Sequence, residues 1–91
     1  MENITYDVWG TNGSIKFNGR ELCITDMDNK VEAEFIVTDV TSVTWKSAGI
    51  FDGHIQISTT RGTHKKKFNR IQEDNTWADF RTSLEAARNG R

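Results

Sequence analysis

A chain of 91 residues and 10.4 kDa holds one small domain with a modest core, and it is too short for a catalytic architecture of several βαβ units. Its 35% hydrophobic and 10% aromatic residues mark a globular chain rather than a disordered one, and the absence of proline leaves every turn to Gly, Asn and Asp. The net charge of -1 hides a segregation, because residues 1–60 carry nine acids and four bases whereas residues 61–91 carry four acids and eight bases.

Cys23 is the single cysteine, so no internal disulfide can form, and with two scattered histidines, His54 and His64, it makes no cluster at metal-ligand spacing. No metal and no cofactor is expected. The opening residues Met1-Glu2-Asn3-Ile4 are polar and acidic where a secretory leader is basic and then apolar, and no apolar run approaches the ~20 residues that span a bilayer. The expectation is a cytoplasmic protein that is not transmembrane, with residues 1–91 forming a single domain.

Short alternating segments bounded by Gly, Asn and Asp run to about residue 70 and predict seven antiparallel strands. The first spans roughly Ile4 to Trp9 and closes on Gly10-Thr11-Asn12-Gly13, a turn whose Asn-Gly pair tolerates positive φ. Ile15 and Phe17 share a face of the second, and Asn18-Gly19 turns into the third, Glu21 to Asp26. There Leu22 and Ile24 oppose Cys23 and Thr25. The fourth, Val31 to Val37, sets Val31, Ala33, Phe35 and Val37 against Glu32 and Glu34, with its acids toward water. Val43 and Trp45 share a face of the fifth, Thr41 to Lys46. Ile55, Ile57 and Thr59 oppose His54, Gln56 and Ser58 in the sixth. The seventh, Thr63 to Asn69, has Phe68 as its one large apolar residue and is expected at a sheet edge. From about 75 to 88 the spacing of Trp77, Phe80, Leu84 and Ala87 predicts a helix, capped by Asp74, Asn75 or Thr76, with Thr76 and Asp79 as a candidate capping box.

Seven short strands and one terminal amphipathic helix form the layout of a bent seven-stranded antiparallel sandwich or open barrel capped by a C-terminal helix. Two stretches, Gly10-Thr11-Asn12-Gly13-Ser14-Ile15-Lys16-Phe17 and Val40 to Ile57, carry a more particular likeness. The Gly-x-Asn-Gly turn, the Ile-x-x-Val-x-Trp-Lys type of strand, Ala48-Gly49 and the aliphatic strand after Gly53 resemble a bacterial pleckstrin-homology-like domain family of unknown function. That family is frequent in actinobacteria and their phages and is often found with SHOCT domains. Ser47 stands where Pro is common in it, Asp52 in place of Asn, and His54 where an aromatic is usual. The resemblance implies a mainly β pleckstrin-homology-like domain.

Arg61, Lys65, Lys67 and Arg70 lie in the one dense charge run, Arg61 to Arg70, and are candidates for an anion or partner site. Alternation sends Lys65 and Lys67 to one face and His64, Lys66, Phe68 and Arg70 to the other, so the three lysines cannot converge on one phosphate. With Phe68 inward, Lys66 is expected at the barrel mouth with its ammonium in water. The competing reading is an edge strand guarded by lysines against further pairing. Ile50 and Phe51, two large apolar residues in a turn between Gly49 and Gly53, are candidates for a protein contact, as is Trp9. Trp45 and Trp77 read as core.

A pI near 6.1 lacks the field that nucleic acid demands, and the first turn lacks the basic residues with which lipid-binding pleckstrin-homology domains hold phosphates. Lipid and nucleic acid are both disfavoured partners. Cys23, His54 and His64 make no nucleophile and base pattern, so no catalytic residue is assigned: Cys23 reads as a packed or surface thiol and His54 as solvent-facing. The expected function is a non-catalytic module for protein-protein interaction, including self-association or, if phage-encoded, inhibition of a host protein. The alternative is an anionic-ligand or membrane-surface binder using the basic strand, and a small enzyme ranks last.

Overall fold

The Gly, Asn and Asp turns join neighbouring strands into hairpins. In the computed structural model, which describes residues 3–90, β1 (Tyr6–Gly10), β2 (Gly13–Phe17), β3 (Glu21–Thr25) and β4 (Val31–Ile36) form one antiparallel sheet in chain order. A second contains β5 (Val40–Lys46), β6 (Gly53–Thr59) and β7 (Gly62–Phe68), and α1 (Asn75–Asn89) follows. The described residues are therefore mainly β, with seven strands in two antiparallel sheets and one C-terminal helix.

Local hydrogen bonding moves several boundaries from those expected. β1 starts at Tyr6 rather than Ile4, although the Thr5 amide already donates to the Phe17 carbonyl at 2.8 Å. β3 ends at Thr25 because the Asp26 carboxylate accepts from the Asp28 and Lys30 amides, both at 2.9 Å, and so folds its own turn. Val37, expected to finish β4, opens a short 3-10 turn, Val37–Asp39, that carries the chain into the second sheet. Its amide donates to the Arg20 carbonyl at 2.8 Å while its side chain is buried.

Register then builds the core. In the first sheet Tyr6, Phe17, Leu22 and Phe35 form one inner row and Val8, Ile15, Ile24 and Ala33 the next. In the second, Val43 pairs with Ile57 and Trp45 with Ile55, while Gly53 lies opposite Phe68. Trp77, Phe80 and Leu84 bring the helical stripe onto these rows, and all three are buried. Phe68 meets Trp77 at 4.7 Å between ring centroids, and Phe17 meets Phe80 edge-on at 5.9 Å. The helix starts at Asp74, whose carboxylate accepts from the Thr76 and Trp77 amides at 3.0 and 3.3 Å, in place of a cap built from Thr76 and Asp79.

Lys66 departs furthest from expectation. Its ammonium is not in water: the residue is 4% exposed, and Nζ donates to the Asn12 carbonyl at 3.0 Å and pairs with Glu32. The cause is a bulge. Ile24 pairs with Ala33 but Thr25 pairs with Val31, so Glu32 is the unpaired extra residue and escapes the alternation that was to hold it on the outer face with Glu34. The edge of β7 is also less open than expected. The Thr11 amide donates to the Lys67 carbonyl at 2.7 Å, the Lys67 amide donates to Asn12 Oδ1 at 2.9 Å, and Asn12 Nδ2 donates to the Lys65 carbonyl at 3.2 Å. The first hairpin turn thus covers the edge over Lys65 to Lys67.

Lys66→Ala strips both Glu32 and the Asn12 carbonyl of their donor and is expected to cost about 1–3 kcal/mol, with Glu32→Gln costing less because an acceptor is kept. Phe80→Ala, which opens a core cavity, is expected to cost about 3–5 kcal/mol. Urea denaturation measures all three, and a Lys66→Ala variant as stable as wild type would show that the pair contributes nothing.

Candidate binding surface

The outer face of the second sheet follows from three strand registers. Lys46 on β5, His54 on β6 and Lys67 on β7 lie side by side in one row, Thr44, Gln56 and Lys65 in the next, and Ser42, Ser58 and Thr63 in the third. Neighbouring side chains in such rows stand about 4.5–5.5 Å apart at Cβ. Three lysines therefore surround His54 on a face whose strand positions contain no carboxylate. Lys46, Lys65 and Lys67 are exposed and His54 is half-buried. Partial burial first, and then the charges of Lys65, Lys46 and Lys67, lower the His54 pKa from its ordinary value.

The loop between β5 and β6 stands at the end of this face. Its base is fixed: the Ala48 amide donates to Glu73 Oε1 at 2.6 Å, and the Gly49 amide to the Phe51 carbonyl at 2.9 Å. Its tip is not covered, since Ile50 is 98% and Phe51 79% exposed. Ile50, Phe51 and Asp52 share one open depression with His54, Lys65 and Lys67. The apolar pair and two of the basic residues singled out in the sequence thus belong to a single surface.

The other candidates lie elsewhere. Trp9 is 37% exposed on the outer face of the first sheet, with the Lys16 ammonium 5.2 Å from its ring centroid, and its carbonyl accepts from Trp77 Nε1 at 3.3 Å. It borders a separate hollow with Asp7, Gln72 and Asp74. Arg61 stands at the far end of β7, beside a cavity of about 240 Å³ walled by Phe35 and His64, whose rings stack at 5.5 Å. Arg70 is exposed beyond the end of β7 and lines neither hollow. Between β5 and α1, Arg81 lies 5.1 Å from the Trp45 ring centroid and is joined to Glu85 at 3.4 Å, so side chains already occupy that groove.

Lys46 and His54 are the members that the sequence reading passed over. The charge run drew attention to β7, and His54 read as an isolated solvent-facing residue. Both were available from alternation: Lys46 opposes Trp45 and His54 opposes Ile55, so a hairpin closing over 47–52 puts the two together outside.

Cys23 is buried on the outer side of the first sheet, where Sγ donates to Glu34 Oε1 at 3.8 Å. Burial, followed by the charge and hydrogen bond of Glu34, raises the thiol pKa and keeps sulfur protonated. Among the described residues no three His, Cys, Asp or Glu side chains gather as a metal-holding group, and no helix is long and apolar enough to cross a membrane. No protein-family model matches the chain, and no curated protein or solved structure matches it significantly.

A disulfide reagent at pH 8 is expected to label Cys23 much more slowly in the native protein than in urea, and equal rates would refute the protected thiol. His54 supplies a second expectation. Its lowered pKa means that below pH ~6.5 the unfolded chain takes up this proton more readily, so stability falls as pH drops through that range. His54→Gln should flatten the loss between pH 7 and 5.5, measured by thermal unfolding, and an unchanged slope would refute it.

Proposed function

We propose that the chain is a non-catalytic binding module of pleckstrin-homology-like fold that recognises a protein through the outer face of β5, β6 and β7 and the Ile50-Phe51 tip. The fold part of this reading is supported by four strands, three strands and a terminal helix in the order that a bent sandwich or open barrel requires, with the helical stripe on the shared core. The functional part rests on one observation: two apolar side chains at a loop tip share a depression with Lys65, Lys67 and His54. Exposed apolar groups beside a polar, charged rim are the composition of a contact surface rather than of an inert one. Self-association is a second form of the same reading, with another copy as the protein partner.

The near-complete exposure of Ile50 beside lysines favours one competing reading, insertion into an anionic membrane surface. Ile50→Asp with Phe51→Asp should leave the unfolding free energy within about 0.5 kcal/mol, because both residues are on the surface, while abolishing retention of partners from native host extract. A retained set identical to that of wild type would remove the tip from the contact. Co-sedimentation with phosphatidylserine vesicles, sensitive both to salt and to Lys65→Glu with Lys67→Glu, would instead establish the membrane reading.

A further inference from the structure

His54 has a cationic neighbour on either side in its row, Lys46 from β5 and Lys67 from β7, with Lys65 one row along. Asp52, in the loop before β6, is the single carboxylate that lines the same depression. Successive same-face residues on a strand stand about 6.5–7 Å apart and neighbouring strands about 4.8 Å apart. The strand positions of the three lysines and His54 therefore span less than a Debye length at physiological salt, ~8 Å, along the strands and about one such length across them. Like charges so placed repel one another and disfavour a fourth positive charge at the centre. An anionic occupant would reverse both effects, giving each lysine a counter-charge and making a protonated imidazole a donor to a carboxylate.

We propose that this face docks an acidic protein segment bearing an apolar anchor, and that His54 takes up a proton as the segment binds. The inference rests on the protein-binding reading above and adds the partner's chemistry and a regulating variable. Charge complementarity selects the acid, because the three rows of the face hold Lys46, Lys65 and Lys67 and no strand carboxylate. The anchor follows from Ile50 and Phe51, which need an apolar counterpart at the end of that face. A carboxylate seated between Lys46 and Lys67 lies against the imidazole, so binding and protonation each favour the other by the same factor. Partial burial and the lysine charges keep the unliganded imidazole neutral at pH 7, which leaves a proton for the occupant to bring in. The contact tightens as pH falls through the histidine range.

The probe is a synthetic peptide of six glutamates interrupted by a Leu-Leu pair, followed by fluorescence anisotropy at low salt on the whole chain. Affinity is expected to rise roughly threefold to tenfold from pH 8.0 to 6.0, a range in which the glutamates stay ionised. His54→Gln should lose the pH dependence, read as the ratio of its own affinities at pH 6.0 and 8.0, which leaves His64, stacked on Phe35 elsewhere, as an internal control. Lys65→Glu with Lys67→Glu should abolish binding at every pH, and the peptide with glutamine in place of glutamate should not bind. An affinity independent of pH, or a pH dependence that survives His54→Gln, overturns the proton coupling. No binding of the acidic peptide, with host partners still retained through the Ile50-Phe51 tip, overturns the acidic segment alone. Binding to phosphatidylserine vesicles in place of the peptide overturns the protein occupant and the reading beneath it.

Discussion

The closure of the first hairpin turn onto β7 is the constraint from which the rest of the molecule follows. Gly10, Thr11, Asn12 and Gly13 bring the first sheet against the last strand of the second, and backbone contacts there are too close for side chains. A Cβ on Gly10 would stand 2.0 Å from the Lys67 carbonyl oxygen, and one on Gly13 would meet the Thr25 carbonyl oxygen at 2.0 Å and the Lys66 ammonium at 2.8 Å. With the turn seated, Asn12 serves as acceptor and donor to the β7 backbone through its side chain and as acceptor to Lys66 through its carbonyl. A buried ammonium without partners would cost several kcal/mol. Its two acceptors come from the first sheet, so Lys66 ties one sheet to the other.

Fixing β7 in this way decides what each of its basic residues can do. Lys66 is spent on the interior, and alternation leaves Lys65 and Lys67 on the outside, where β5 and β6 add Lys46 and His54. The first sheet presents a different outer row, Asp7, Lys16, Cys23 and Glu34, in which Lys16 is held by Asp7 at 2.9 Å and Cys23 by Glu34. The acid and base excess visible along the sequence therefore becomes, in three dimensions, one outer face with internally matched polar groups and another whose cations lack acidic neighbours on the strands. An unmatched face of this kind is the one that gains from a charged occupant.

Much of the architecture was legible because it depends on local rules. Asn-Gly and Asp-containing turns, period-two alternation and the Trp77, Phe80 and Leu84 spacing are all short-range signals, and they locate seven strands and a helix to within two or three residues. Three features were not legible. Glu32 reaches Lys66 through a bulge, which shifts alternation by one residue and leaves no mark in the residues around it. The cap of α1 was one of three adjacent candidates, and hydrogen-bond geometry, not residue type, selects Asp74. The full extent of the candidate surface was the third: alternation alone sets Lys46 beside His54, but Lys67, 21 positions beyond Lys46, reaches the other side of that histidine only through the register of β7. A charge run is visible in sequence, whereas a charge patch assembled across strands is visible only once pairing is known.

The Ile50-Phe51 tip bears on how such a surface can bind. A flexible loop carrying the same residues would lose much of the gain from burying them to the entropy of ordering the loop, a cost of roughly 1–2 kcal/mol for each residue fixed. Here hydrogen bonds hold the base of the loop. Glu73, which precedes the helix, accepts from the Ala48 amide, the Gly49 amide is satisfied by the Phe51 carbonyl, and Gly53 is buried where β6 begins. The two side chains are thus carried outward on a base held from three directions, and the lysine face beside them belongs to a paired sheet rather than to a loop. Preorganisation of this kind lowers the cost of association more than additional contact area would. The exposure of these two residues contrasts with the large rings of the second sheet, Trp45 and Phe68, which pack together at 4.9 Å inside.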